Sequence, residues 1–194
     1  MAAMRLALAD TLLAPASLTF AVGGGLMRYS NSRPELSADL DGLSPAALGL
    51  DDSEAAQVMV ALVLIARDAL DAAHDIVGEL GCSEATYAHA MIHRREGQAT
   101  GEAGLPGYSN SRYWFGNLGE HPLFPAVHEF VATHPACPRQ LRARTEWDPA
   151  TFVGLCDKSE RAGAEEALAF CTAVQQREWE MLFDHCAELV ESQS

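Results

Sequence analysis

The chain has 194 residues, 48% of them hydrophobic and 21% charged, a composition that suits one globular domain and excludes a disordered acidic tail. Its 27 acidic side chains outnumber 13 basic ones, for a formal net charge of −14. That field repels phosphate backbones and anionic lipid heads and argues against nucleic-acid and membrane partners; the basic groups Arg94-Arg95 and Arg139/Arg142/Arg144 are too small to reverse it.

The N-terminal stretch MAAMRLALADTLLAPASLTFAVGGG is largely apolar, but Asp10 interrupts it and Pro15 breaks it. It makes a poor signal-peptide core, and no run reaches the roughly 18 apolar residues of a membrane span. We read it as an arm ending at Gly23–Gly25, with LTFAV as its one strand-like fragment. Residues 28–52 are rich in Ser, Pro, Asp and Gly and read as loop, with a short helix opened by Ser44-Pro45. Residues 1–52 are thus an irregular arm packed on the core, and residues 53–194 the helical domain.

From Asp51 the pattern predicts one helix of about seven turns over 53–80, with Asp51 and Glu54 as a capping box and Gly78 and Gly81 at its exit. Ser83 caps a second helix ending at Gly97. A third runs near Ser109–Leu118, and LFPAVHEFVATH is a fourth. Asp148-Pro149 opens a fifth, and a long last helix occupies about 160–191. With no convincing period-2 strand, the expected fold is all-α, an antiparallel bundle of five or six helices.

Cys82, Cys137, Cys156, Cys171 and Cys186 are odd in number and form no CxxC, so we expect reduced thiols in a cytoplasmic protein. Cys171 and Cys186 fall on one helix about 22 Å apart and cannot bridge each other. YSNSR occurs at 29–33 and again at 108–112 with unrelated flanks, which we take as coincidence.

The chemistry-bearing residues sit on three helices. His74 falls at the border of an apolar face, four residues past Leu70; an HD phosphohydrolase reading of His74-Asp75 fails because no histidine precedes it. His89, His93 and Glu96 share one side of the second helix, and HxxxH spacing presents two imidazoles to one zinc or iron ion. Ala90 stands where HExxH needs its glutamate, which excludes a zincin peptidase. On the last helix, Glu178 and His185 lie within the apolar stripe Leu168, Cys171, Val174, Leu182, Cys186 and Leu189. A buried carboxylate must be paired, neutralised or bound. Either Glu178 locks onto an arginine such as Arg94 or Arg95, or Glu178 and His185 face His89, His93 and Glu96 across the bundle.

DALDAAHDI, YAHAMIHRREG and SNSRYWFGNLGEHP together resemble an uncharacterised all-helical family whose members read LDxxH … YWHAxxHRREGDxxNAxYWxRRxGxHP. The likeness covers roughly residues 65–125 and points to His74, His89, His93, Arg94, Arg95, Glu96, Asn110, Tyr113 and Trp114. It implies shared architecture and a shared polar site, and no reaction. The chain departs from the pattern after Gly97, where a Gly-rich insertion replaces the acidic residue, and at Ser111 and Gly116-Asn117. The stripe Tyr108, Ser111, Trp114, Phe115, Leu118 also resembles one helix of a Sel1 or tetratricopeptide repeat, without a second unit.

The leading expectation is an interior pocket for a small molecule or a divalent metal (zinc or iron). His93, Glu178, His89 and Glu96 would supply acid–base groups. His74, Arg94, Asn110, Tyr113, Trp114 and His185 would bind ligand, and His89, His93, Glu178 and His185 would hold the metal. Whether the pocket catalyses stays open, and a homo-oligomer is compatible with the pattern. The competing expectation is an interaction scaffold using the Tyr108–Leu118 surface.

Overall fold

The computed structural model describes residue 40 and residues 42–99 and 104–193. Among these, the fold is all-α, with eight α-helices and no strand. The expected strand-like LTFAV, the Gly23–Gly25 arm and the first YSNSR copy lie outside the described residues. No helix among those described is long and apolar enough to cross a membrane.

A 3-10 turn, Ala46–Leu48, opens the described chain; Ser44 Oγ accepts the Ala47 N–H at 3.2 Å. Helix α1 spans Glu54–Ala66. Its cap is Ser53, whose Oγ accepts the Ala56 N–H at 3.3 Å, so the expected Asp51–Glu54 capping box does not form. Asp51 instead accepts the Ser53 hydroxyl at 2.7 Å, and Glu54 Oε1 accepts the Gly81 N–H at 2.9 Å, from a turn 27 residues away. Eleven of its thirteen residues, from Ala55 to Ala66, are buried, because the run is apolar on every side. A helix apolar all round belongs at the centre of the bundle.

The single helix expected over 53–80 is two helices. After Ala66 the Asp68 N–H donates to Ile65 O at 3.1 Å and the Ala69 N–H to Leu64 O at 2.9 Å, and Asp68 has φ +65°. This is a Schellman closure with aspartate in the left-handed position that glycine usually takes. The usual glycine signal is therefore missing from the sequence. Helix α2 then runs Leu70–Gly78.

Helix α3, Ser83–Glu96, matches its expected span, with Cys82 rather than Ser83 at the N-cap position. Twelve of its residues are buried, including His89, His93, Arg94, Arg95 and Glu96, so it has no solvated face. Helix α4, Gly107–Leu118, packs closely on it. A Cβ on Gly107 would lie 2.4 Å from the His93 carbonyl oxygen and 2.7 Å from Glu96 Cβ. Only glycine lets the start of α4 meet the last turn of α3 this closely.

Helix α5 (Phe124–Thr133) and the single turn α6 (Arg139–Arg142) follow. Helix α7 (Pro149–Ala162) opens as expected, with Asp148 Oδ1 accepting the Thr151 N–H at 2.9 Å and proline at the first turn. It ends at Gly163, φ +60°, and α8 (Glu165–Gln193) extends for 29 residues. The Asp68 break and the α6 turn raise the helix count above the expected five or six.

Contacts run α1–α3–α4–α7–α8 and back to α1, a closed circuit around the core. Trp179 Nε1–H on α8 donates to Leu62 O on α1 at 2.7 Å and closes the ring. Helix α2 packs outside, against α1 and α3. Leu43, Leu48 and Leu50 pack on the same core.

Candidate functional site

Helix α3 is the hub, and its two sides carry different chemistry. At about 100° per residue, the five steps from His89 to Arg94 come to about 140°. Tyr87 and Arg94 therefore point one way, and His89, His93 and Glu96 another.

The first side faces α8. Arg94, fully buried, donates through Nη2 to Glu178 Oε2 and through Nε to Gln175 Oε1, both at 2.6 Å. Glu178 Oε1 accepts the Tyr87 hydroxyl at 2.7 Å. Phe152 and Phe115 lie 4.9 and 5.5 Å from the guanidinium carbon, in cation–π range. The Glu178 charge and burial together hold the Tyr87 phenol protonated, well above its usual range, with burial the larger cause. Of the two expectations for Glu178, the arginine lock is the one the geometry carries. Glu178 is spent on structure and joins no group of three clustered metal-ligating side chains among the described residues.

The other side faces α2 and α4. Here the ligand atoms of His74, His89 and His93 lie within 4.8 Å of one another. The His74 ring centroid is 4.5 Å from that of His89 and 5.4 Å from that of His93. The His89 ring stacks on Trp114 at 3.8 Å, with 20° between planes. His89 Nε2 is buried without a hydrogen-bond partner. Burial first, then the neighbouring His93 and His74, push the His89 imidazole down to about 3, so it stays neutral with a lone pair to offer.

His93 is oriented by Glu96, whose Oε2 lies 2.7 Å from Nδ1. A carboxylate facing Nδ1 favours the Nδ1–H tautomer and leaves the lone pair on Nε2. Asn110 Nδ2 lies 3.0 Å from Nε2 and 3.3 Å from Nδ1 of the same ring. A donor on one nitrogen's lone-pair axis lies far from the other nitrogen. Asn110 therefore sits over the ring face and leaves the in-plane lone pair of Nε2 open.

The expected metal set is not gathered at one point. His185, on α8, sits with Glu84 and His121 in a second cluster whose ligand atoms also lie within 4.8 Å. His185 Nε2 is 3.1 Å and His121 Nε2 3.8 Å from Glu84 Oε1. The tautomer differs here. His121 Nδ1 accepts the Leu123 N–H at 3.3 Å, across Pro122, which has no N–H of its own. The proton of neutral His121 is then on Nε2, facing Glu84. Glu84 Oε1 is hydrogen-bonded to His185 Nε2, while His121 Nε2 stands 3.8 Å away without a hydrogen-bond partner; with its Nδ1 accepting, that nitrogen carries the proton and has no lone pair for a metal. The His121 imidazole, helped by His185, holds the Glu84 carboxyl down to about 2 against burial.

Arg94 belongs to the Glu178 lock, Asn110 and Trp114 to the histidine centre, and Tyr113 is 60% exposed, 5.5 Å from the Trp114 ring centroid. Sequence reasoning missed Glu84 and His121. Neither has a spacing motif, and the dipeptide His121-Pro122 was the only available signal. It also placed His74 outside the metal set, because its approach to His89 in space depends on the Asp68 reversal, which no spacing encodes. Comparison with family models, curated proteins and solved structures finds no match for this chain.

Proposed function

We propose that this protein binds one divalent transition-metal ion, zinc or iron, through His74, His89 and His93, leaving a coordination position for water or a small ligand. The observation that carries the reading is the convergence of three imidazoles, one with a buried nitrogen that has no hydrogen-bond partner. Four ligands on one zinc at bond lengths near 2.0–2.1 Å sit about 3.3 Å apart, so a cluster within 4.8 Å needs only a small closure. The Glu96–His93 contact supplies the outer carboxylate that metal-bound imidazoles commonly have.

Three neutral imidazole ligands would leave such an ion its full charge, which would acidify a bound water to near neutrality. Asn110, over the His93 ring, and Trp114, against His89, flank the position where such a ligand would lie. The scaffold reading has less support, since Trp114 is engaged inside by His89 and none of the stripe's large aromatics, Tyr108, Trp114 and Phe115, is exposed.

The test is elemental analysis of purified protein beside a His89→Ala variant. Near one equivalent of Zn, Fe or Mn per chain, lost in the variant, is the expected result. Substoichiometric amounts of all three after incubation with excess metal would sink the reading.

A further inference from the structure

The geometry points to Asp68 and Arg95 as a positioning pair for the histidine centre: their ion pair holds the chain reversal that aims His74 at His89 and His93. This inference rests on the metal reading above.

Asp68 is the only non-glycine residue with a positive φ among those described, at +65°. The left-handed region crowds a Cβ, and glycine would meet the backbone demand better. What aspartate adds is a carboxylate. Its Oδ1 lies 3.0 Å from Arg95 Nη2, and the two side chains are only 15% and 9% exposed. Backbone strain held in place by a specific buried contact is a recurring mark of functional positioning.

The location of the pair explains what it positions. Arg95 is two residues past His93 and next to Glu96 on α3. His74 is six residues past Asp68, on α2. The ion pair therefore ties the root of α2 to the turn of α3 that carries His93 and its carboxylate. Had α1 continued straight, His74 would stand about 12 Å beyond Ala66 along one axis. With the reversal, α2 packs on both α1 and α3 and its imidazole sits 4.5 Å from that of His89. Asp68 and Arg95 touch no ligand position themselves and act through His74.

Cobalt(II) titration of the full chain, read by its visible d–d bands, tests the idea in Asp68→Gly, Asp68→Asn and Arg95→Met. Asp68→Gly keeps a residue suited to the reversal but removes the clasp. It is expected to stay folded, to weaken cobalt binding at least tenfold and to change the band pattern as His74 drops out. Asp68→Asn, which tolerates the left-handed conformation but offers Arg95 no charge, is expected to stay folded and to lose affinity as Asp68→Gly does. Arg95→Met, removing the clasp from the other side, is expected to lose tenfold as well. Wild-type cobalt binding in folded Asp68→Gly or in Arg95→Met overturns the inference. If the wild-type chain binds no cobalt, the metal reading fails by itself. The positioning role is then read in metal-free protein from the nuclear Overhauser contact between the His74 and His89 rings. That contact is expected in wild type and absent in Asp68→Gly; its persistence in Asp68→Gly overturns the role.

Discussion

His93 Nδ1 lies 2.7 Å from Glu96 Oε2, one helical turn along α3, with both side chains almost fully buried. The carboxylate sets the tautomer of His93 and so decides which nitrogen can bind. Replacing Glu96 by Gln removes the charge but keeps the shape. Outer carboxylates of this kind are worth about 10–100-fold in metal affinity. Glu96→Gln is therefore expected to weaken zinc binding within that range, measured by chelator competition, with little change in melting temperature. Unchanged affinity would show that Glu96 does not orient a ligand.

The Arg94–Glu178 pair lies on the opposite side of α3 and should behave differently. Glu178→Ala strands a fully buried guanidinium, which costs about 3–5 kcal/mol. For a chain of this length that corresponds to a melting temperature lower by roughly 6–20 °C. Calorimetry should show the drop, while zinc affinity of the folded fraction stays close to wild type. A melting temperature within a degree or two of wild type would contradict the lock. The double variant Arg94→Met with Glu178→Leu should recover much of the loss, since no buried charge remains uncompensated.

Two pH windows follow from the shifted groups. His89 falls from an ordinary 6.5 to about 3 in the fold, mainly through burial. Between those values the unfolded chain takes up a proton that folded His89 refuses, so metal-free protein loses stability as pH falls from 6.5 toward 3. Glu84 falls from 4.5 to about 2, chiefly through His121. Its contribution is present above 4.5 and is lost as pH falls through that range toward 2. Urea unfolding at a series of pH values separates the two: His89→Phe should flatten the upper window and Glu84→Gln the lower. Curves identical to wild type in both variants would mean that other groups set the acid limit.

Much of the fold was legible because local rules agree with the tertiary outcome. Asp148-Pro149 opens α7 through a side-chain cap and a proline that needs no N–H partner, both visible in the chain. The α3 span and the apolar stripe of α8 follow from periodicity. The α1–α2 break was hidden because it uses Asp68 where a glycine would have announced it. The partner of that aspartate, Arg95, lies 27 positions away. The site was half legible for the same reason. HxxxH spacing places His89 and His93 together on any helix, and a polar residue within an apolar stripe marks Glu178 as paired.

Local pattern alone establishes an all-helical fold, the helix that carries His89, His93 and Glu96, and the need of buried Glu178 for a partner. These follow from propensities and from spacings of three and four residues, whose physics is complete within one helix. Which side of α3 each distant group meets is set by the packing of the other helices around it. Helix α8 approaches the side of Tyr87 and Arg94, so Glu178 became a lock. Helix α2, turned back at Asp68, brings His74 to the other side, and α4 brings Trp114 and Asn110. Such pairings are set by how whole helices pack, and no spacing within a single element encodes them.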